Sequence, residues 1–273
     1  MSEQSKTLLI TGANGRVGRL LQAAGLASVA WSGRGARHDL AWSPLDGPDP
    51  LLDWCAANGR PRALVMLAGV TPRPDARLDD NVALGIATLR AARDAGIGRV
   101  LLASSSAVYG SGRAEPWDED DACYPANDYG RAKLAMEQAC TGPDVTHLRI
   151  GNVAGADALL TNPRRPLLLD QFADGSGSVR SYIGPQTLGR VLMALALAPS
   201  LPPVLNIGTP EPVDMADLAA AAGLPVARQP APPQAIARLT LATGRLESLV
   251  RLQHTDSTAP AMIAEWRACK DDA

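Results

Sequence analysis

Short apolar runs alternate with longer amphipathic stretches along most of this 273-residue chain. Residues 7–10, 28–31, 63–67, 99–103, 145–150 and 204–207 are apolar runs of strand length. Between them, residues 16–26, 51–57, 76–95, 129–140 and 191–197 carry helical periodicity. Strands of about five residues separated by helices of ten or so are joined in parallel by right-handed crossovers. The pattern therefore predicts an α/β protein with a doubly wound parallel sheet of the Rossmann type. Regularity decays after Leu224, where Pro225, Pro230, Pro232 and Pro233 predict loops. Two weak helix candidates follow, at 238–249 and 259–270. The expected organisation is a dinucleotide-binding body (1–150 and 186–208) with a small irregular C-terminal substrate lobe (151–185 and 209–273).

Composition narrows the classes. With 46% hydrophobic and 20% charged residues and a formal net charge of −2, the chain lacks the basic surface expected of a nucleic-acid or anionic-membrane binder. No apolar run approaches the roughly 20 residues of a membrane span, and the polar start gives no signal peptide, so a cytoplasmic protein is expected. Cys55, Cys123, Cys140 and Cys269 are scattered, which argues against disulfides or a metal site. Only three of the 26 basic residues are lysines, namely Lys6, Lys133 and Lys270.

Gly12, Asn14, Gly15, Arg16, Val17 and Gly18 follow the first strand and open the first helix. Glycines there let the backbone turn sharply and approach a pyrophosphate, which the helix N-terminal amides then face. The spacing is Gly-x-x-Gly-x-x-Gly. An NAD site would place a carboxylate at the end of the second strand. Ser32 stands there instead, followed by Arg34 and Arg37, a set suited to a 2′-phosphate, so NADP is the expected cofactor and NAD the alternative.

Tyr129 and Lys133 are four residues apart on one helix face. A phenol needs a neighbouring positive charge to serve as a base near neutral pH. Ser104, Ser105 and Ser106 end the fourth strand, and strand C-termini are where ligands bind in such sheets.

In order along the chain, these motifs resemble the extended short-chain dehydrogenase/reductases, specifically the NAD-dependent epimerase/dehydratase family. Ser104-Ser105-Ser106-Ala107-Val108-Tyr109-Gly110 and Tyr129-x-x-x-Lys133 carry the likeness, with the turn at Gly12–Gly18. The resemblance implies that Ser105 is the catalytic serine, Tyr129 the general acid/base and Lys133 a nicotinamide-ribose ligand. It implies further cofactor contacts at Asp39-Leu40, at Leu67, Ala68 and Gly69, and at Asn81. Substrate contacts are implied at Ser106, Asn152 and Arg180, the last as a phosphate ligand. Ser106 and Ala107 replace the acidic pair of the family's dehydratases, which speaks against dehydration. The expected activity is epimerisation or net oxidoreduction of a sugar, sugar nucleotide or small carbonyl compound. A non-catalytic NADP sensor is a third reading. The resemblance also implies a homodimer.

Overall fold

The computed structural model describes residues 6–162 and 164–271. Its centre is a seven-stranded sheet. From the N-terminus come β1 (Leu8–Thr11), α1 (Arg16–Ala23), β2 (Val29–Gly33), β3 (Leu40–Ala41), α2 (Asp49–Asn58), β4 (Ala63–Met66), α3 (Asp80–Asp94), β5 (Val100–Ser105), α4 (Asp128–Ala139) and β6 (Val145–Ile150). Next are β7 (Asn152–Val153), α5 (Ala158–Thr161), β8 (Leu167–Gln171), β9 (Val179–Arg180), β10 (Tyr182–Ile183), α6 (Pro185–Leu197) and β11 (Val204–Ile207). The chain ends with β12 (Val213–Asp214), α7 (Met215–Ala221), β13 (Val226–Pro230), β14 (Arg238–Leu239), α8 (Gly244–Leu249) and α9 (Ala259–Asp271). The sheet runs β11-β6-β5-β4-β1-β2-β3, every pair parallel, as the alternating pattern predicts.

Both faces of this sheet are covered, so its strands are apolar on both sides. Leu8, Leu9, Ile10, Leu64, Val65, Leu101 and Leu102 are fully buried. One core lies between the sheet and α6, around Leu188, Val191 and Leu195; the other, around Leu84, Leu89 and Met136, lies under α3 and α4. No helix among the described residues is long and apolar enough to cross a membrane.

Several elements differ from the sequence pattern, and four have a clear physical reason. β3 has only two residues, too few for a periodicity signal. α6 begins at Pro185 rather than 191, because proline suits the first helical turn and Glu265 of α9 accepts from the Thr187 amide (2.9 Å) and hydroxyl (2.6 Å). Residues 226–230, expected as loop, form a strand because β8, some sixty residues earlier, offers a parallel edge. The helix expected over 238–249 starts only at Gly244, since Arg238 and Leu239 pair with β9.

Candidate active site

The first turn is kept tight by glycine at two points. Gly12 has φ +83°, and a Cβ on it would lie 2.5 Å from the Ala68 amide nitrogen at the end of β4. A Cβ on Gly18 would collide with the Gly12 carbonyl, so α1 approaches the turn only because that position is bare. The result is an open cradle at the α1 N-terminus, with Gly15 as its cap. The Thr11 hydroxyl beneath it is buried without a partner. A dinucleotide pyrophosphate fits this space and these donors. The Asn14 amide donates to the Arg34 carbonyl (3.0 Å), while its oxygen accepts from Arg37 (3.1 Å) and lies 2.8 Å from His38 Nε2. Arg16 reaches across to the Ala156 carbonyl (3.1 Å), and Val17 sits against the core.

Two expected contacts point elsewhere. Ser32 is fully buried and donates to the Trp42 carbonyl (3.2 Å), so the sheet takes its hydroxyl and no 2′-phosphate can reach it. Asp39, just before β3 and level with Trp31 of β2, accepts from the Trp31 amide (2.8 Å). Its neighbour Leu40 is core. Both therefore hold β2 and β3 together. The exposed Arg34 remains near the turn, joined by Arg37 and by His38, which the sequence pattern does not single out.

Beyond β4, Leu67, Ala68 and Gly69 run along the cradle. A Cβ on Gly69 would lie 2.9 Å from Asn81 Oδ1 and 3.2 Å from Lys133 Nζ, so its hydrogen keeps that space free. Asn81 is fully buried on α3, accepts from the Val70 amide (3.1 Å) and donates to the carbonyls of Val70 (3.0 Å) and Leu78 (2.8 Å). It shapes this loop through its backbone.

At the end of β5 the alternation of a strand sorts the serines. Ser104 faces inward, is buried and bonds Glu137. Ser105 faces the open edge, where its hydroxyl accepts from the Ala107 amide (3.2 Å) and shares a hydrogen bond with Tyr129. Ser106 is half-buried at the start of the following turn. Helix α4 is capped by Asn127, whose side chain accepts from Gly130 (2.8 Å). A Cβ on Gly130 would strike the Ala107 carbonyl. That bare contact lets the first turn of α4 bring Tyr129 onto Ser105.

One turn further, Lys133 is buried and donates to the Ala103 carbonyl (2.8 Å), with Nζ 6.0 Å from the centre of the Tyr129 ring. Burial lowers its pKa to about 8, opposed by the charge of Glu137. Burial raises the pKa of Tyr129, with the Ser105 hydrogen bond opposing.

Behind this trio lies a buried network that the sequence pattern does not mark. Arg149 forks onto Glu137 (2.8 Å at the closest) and donates to the Tyr109 hydroxyl (3.1 Å). Tyr109 donates to the side-chain oxygen of Asn206 (2.7 Å), and the Asn206 backbone N–H donates to Glu119 (2.9 Å). Glu137 stands four residues beyond Lys133 on the same helix face, which was its available signal.

In the lobe, Asn152 opens β7 and its side chain reaches the Tyr182 hydroxyl, which donates to Asp157 (2.9 Å). Arg180 donates to the carbonyls of Val179 (2.8 Å), Ile236 (2.7 Å) and Ala237 (3.2 Å). Its guanidinium thus clamps the chain entering β14 rather than standing open for a phosphate. Next to that chain is a cleft of about 980 Å³, bounded by residues 111–114, 171–173 and 230–238.

Residues 8–179 match the model of the NAD dependent epimerase/dehydratase family. The chain is 31% identical over 176 residues to the UDP-glucose 4-epimerase of Rhizobium meliloti (strain 1021), covering 56% of this chain and 54% of that one. It thus spans about half the length of the curated relatives it matches. Its fold resembles the UDP-glucose-4-epimerase of Stenotrophomonas maltophila with bound NAD and formylated UDP-arabinopyranose (TM-score 0.74, 19% identity, 98% and 100% of the two chains covered). It also resembles TunA, an NAD dependent NDP-hexosamine 5,6-dehydratase of tunicamycin biosynthesis (TM-score 0.70, 22% identity, 96% and 97% covered). With a dehydratase among the similar folds and in the family's own description, the comparisons do not set dehydration aside.

Proposed function

The chain belongs to the NAD dependent epimerase/dehydratase family, and on that premise we propose that it is an oxidoreductase or epimerase acting on a sugar, sugar nucleotide or related hydroxy or keto compound. The single observation that carries this reading is the convergence of Ser105, Tyr129 and Lys133 at one end of β5, beside the glycine cradle. Ser105 would hold the reacting oxygen of the substrate through its hydroxyl. Tyr129, hydrogen-bonded to Ser105, would donate its proton to a carbonyl being reduced and take it back from a hydroxyl being oxidised. Lys133, next to Gly69, would donate to the ribose hydroxyls and supply positive charge to the phenolate. When bound, a nicotinamide dinucleotide supplies the hydride acceptor and donor.

Dehydration would need an acid/base carboxylate at the reacting carbon. The positions after Ser105 are Ser106 and Ala107, while the buried Glu137 and Glu119 are engaged by Arg149 and the Asn206 amide.

Tyr129→Phe tests the assignment. It should lower kcat by roughly 10²–10⁴ and leave cofactor affinity nearly unchanged; an equally active variant overturns it.

The NADP preference rests on Arg34, Arg37 and His38 around Asn14, with no carboxylate facing the turn from the end of β2. Arg34→Ala should shift the NADPH/NADH affinity ratio toward NADH by about tenfold, the weight of one charge-assisted hydrogen bond. An unmoved ratio in equilibrium titrations removes Arg34 from the cofactor site.

A further inference from the structure

A second cavity, of about 290 Å³, opens between α4 and the sheet edge made by β6 and β11. It shares no lining residue with the cleft of the lobe. Alternate residues of a strand point to one face, so Val145, His147 and Arg149 of β6 all line it. Val204 of β11 continues that surface, and Leu134 and Glu137, one turn apart on α4, face it from the helix. The exposed Gln138 marks its open side.

The two charges in this lining cancel. Arg149 forks onto Glu137, which also accepts from the Ser104 hydroxyl. An ionic guest would have to compete with that buried pair, so the cavity favours a neutral one.

His147 is in a different state. It is 5% exposed, and its Nε2 lies 2.9 Å from the Cys140 carbonyl. A carbonyl only accepts, so Nε2 carries the proton. Burial lowers the pKa of the ring, which is therefore uncharged near neutral pH and leaves Nδ1 a bare acceptor. That Nδ1 is buried with no hydrogen-bond partner among the described residues, the one such atom in the lining of this cavity. A buried acceptor left unpaired is unfavourable and calls for a functional account.

We propose that this cavity binds a small uncharged molecule carrying one O–H or N–H donor on an apolar body. The donor meets His147 Nδ1, and the body packs against Leu134, Val145 and Val204. The volume is at the small end for ligand sites and suits a guest of about one ring. Glu137 lines the cavity and its charge acts on Lys133, so the guest sits against the carboxylate that faces the lysine. The inference does not depend on the reaction proposed for the chain.

The test uses the full chain with phenol as the probe. Anisole, which keeps the ring and loses the donor, is the control. With only three histidines in the sequence, the ring nitrogens of His147 can be followed individually by nitrogen NMR. Phenol should move the Nδ1 resonance and bind about 3- to 10-fold more tightly than anisole, the weight of one hydrogen bond. His147→Gln keeps a donor within reach of the Cys140 carbonyl and removes the Nδ1 acceptor, so it should bring phenol down to the affinity of anisole. Val204→Phe fills the cavity from the half-buried edge strand and should abolish binding of both. A free protein whose Nδ1 already shows a hydrogen bond holds a resident water there, which overturns the proposal. So does an Nδ1 resonance unmoved by millimolar phenol, equal affinity for phenol and anisole, or phenol binding that survives both substitutions. Should the glutamine variant melt early, the phenol–anisole difference in wild type and its loss in Val204→Phe decide the matter.

Discussion

Arg149 in the sheet body and Arg180 in the lobe are both drawn out of water, yet they meet opposite partners. Arg149 is 6% exposed and forks onto an equally buried carboxylate, Glu137, with its remaining donors on Tyr109 and the Glu119 carbonyl. Arg180 hydrogen-bonds neutral carbonyls, with the charge of Asp170 acting on it without a hydrogen bond. The electrostatic outcome differs accordingly. Burial alone would lower both pKa values; at Arg149 the hydrogen bonds and charge of Glu137 override it and raise the value, whereas at Arg180 burial prevails. In the body the cation is cancelled, and the network fixes geometry behind Ser105 and Lys133. In the lobe the cation is solvated by dipoles and its charge still acts beside the cleft. A kept motif residue is therefore not a kept role; the partners decide.

Removing each arginine in turn would sharpen or break that contrast. Arg149→Leu strands Glu137 as a buried, unpaired charge and should cost about 3–5 kcal/mol. Arg180→Leu removes hydrogen bonds to neutral carbonyls and should cost about 1–3 kcal/mol. Denaturant unfolding of both variants gives the comparison, and the reverse order would show that the lobe clamp, not the body network, is the stronger structural element.

The same contrast explains how much was legible in the sequence. Strand order and the cradle were readable because period, glycine spacing and strand-end position are local properties. That Ser105, Tyr129 and Lys133 lie together was readable because a strand end and one helix turn suffice to place them. The partners of Ser32, Asp39 and Arg180 were not legible, because their side chains answer to Trp42, to the Trp31 amide and to residues 236–237, contacts that no local pattern encodes. β13 was hidden for the same reason, its partner β8 lying some sixty residues away. Glu137 was within reach, since Tyr129, Lys133 and Glu137 recur every four residues on one face of α4.

The smallest effect expected is one of pH, and it isolates the lysine of that face. Tyr129 and Glu137 on α4, Ser104, Ser105 and the Ala103 carbonyl on β5, and Asn81 across Gly69 surround Lys133. Burial brings its pKa from an ordinary 10.5 to about 8, so the ammonium is present below that pH and lost above it. kcat/KM should fall on the alkaline side of about 8 by up to tenfold, or about 1.4 kcal/mol, per pH unit. Glu137→Gln removes the charge that favours the ammonium and should move this limb to lower pH. Stability has the opposite sign. An unfolded lysine holds its proton to about 10.5, so between about 8 and 10.5 the unfolded state binds more protons and this group adds stability as pH rises. Lys133 therefore makes activity fall while its own contribution to stability grows. Thermal melts recorded beside the rate profile separate the two, and a melting temperature that falls in step with the rate would mean that the limb reports unfolding rather than the loss of this proton.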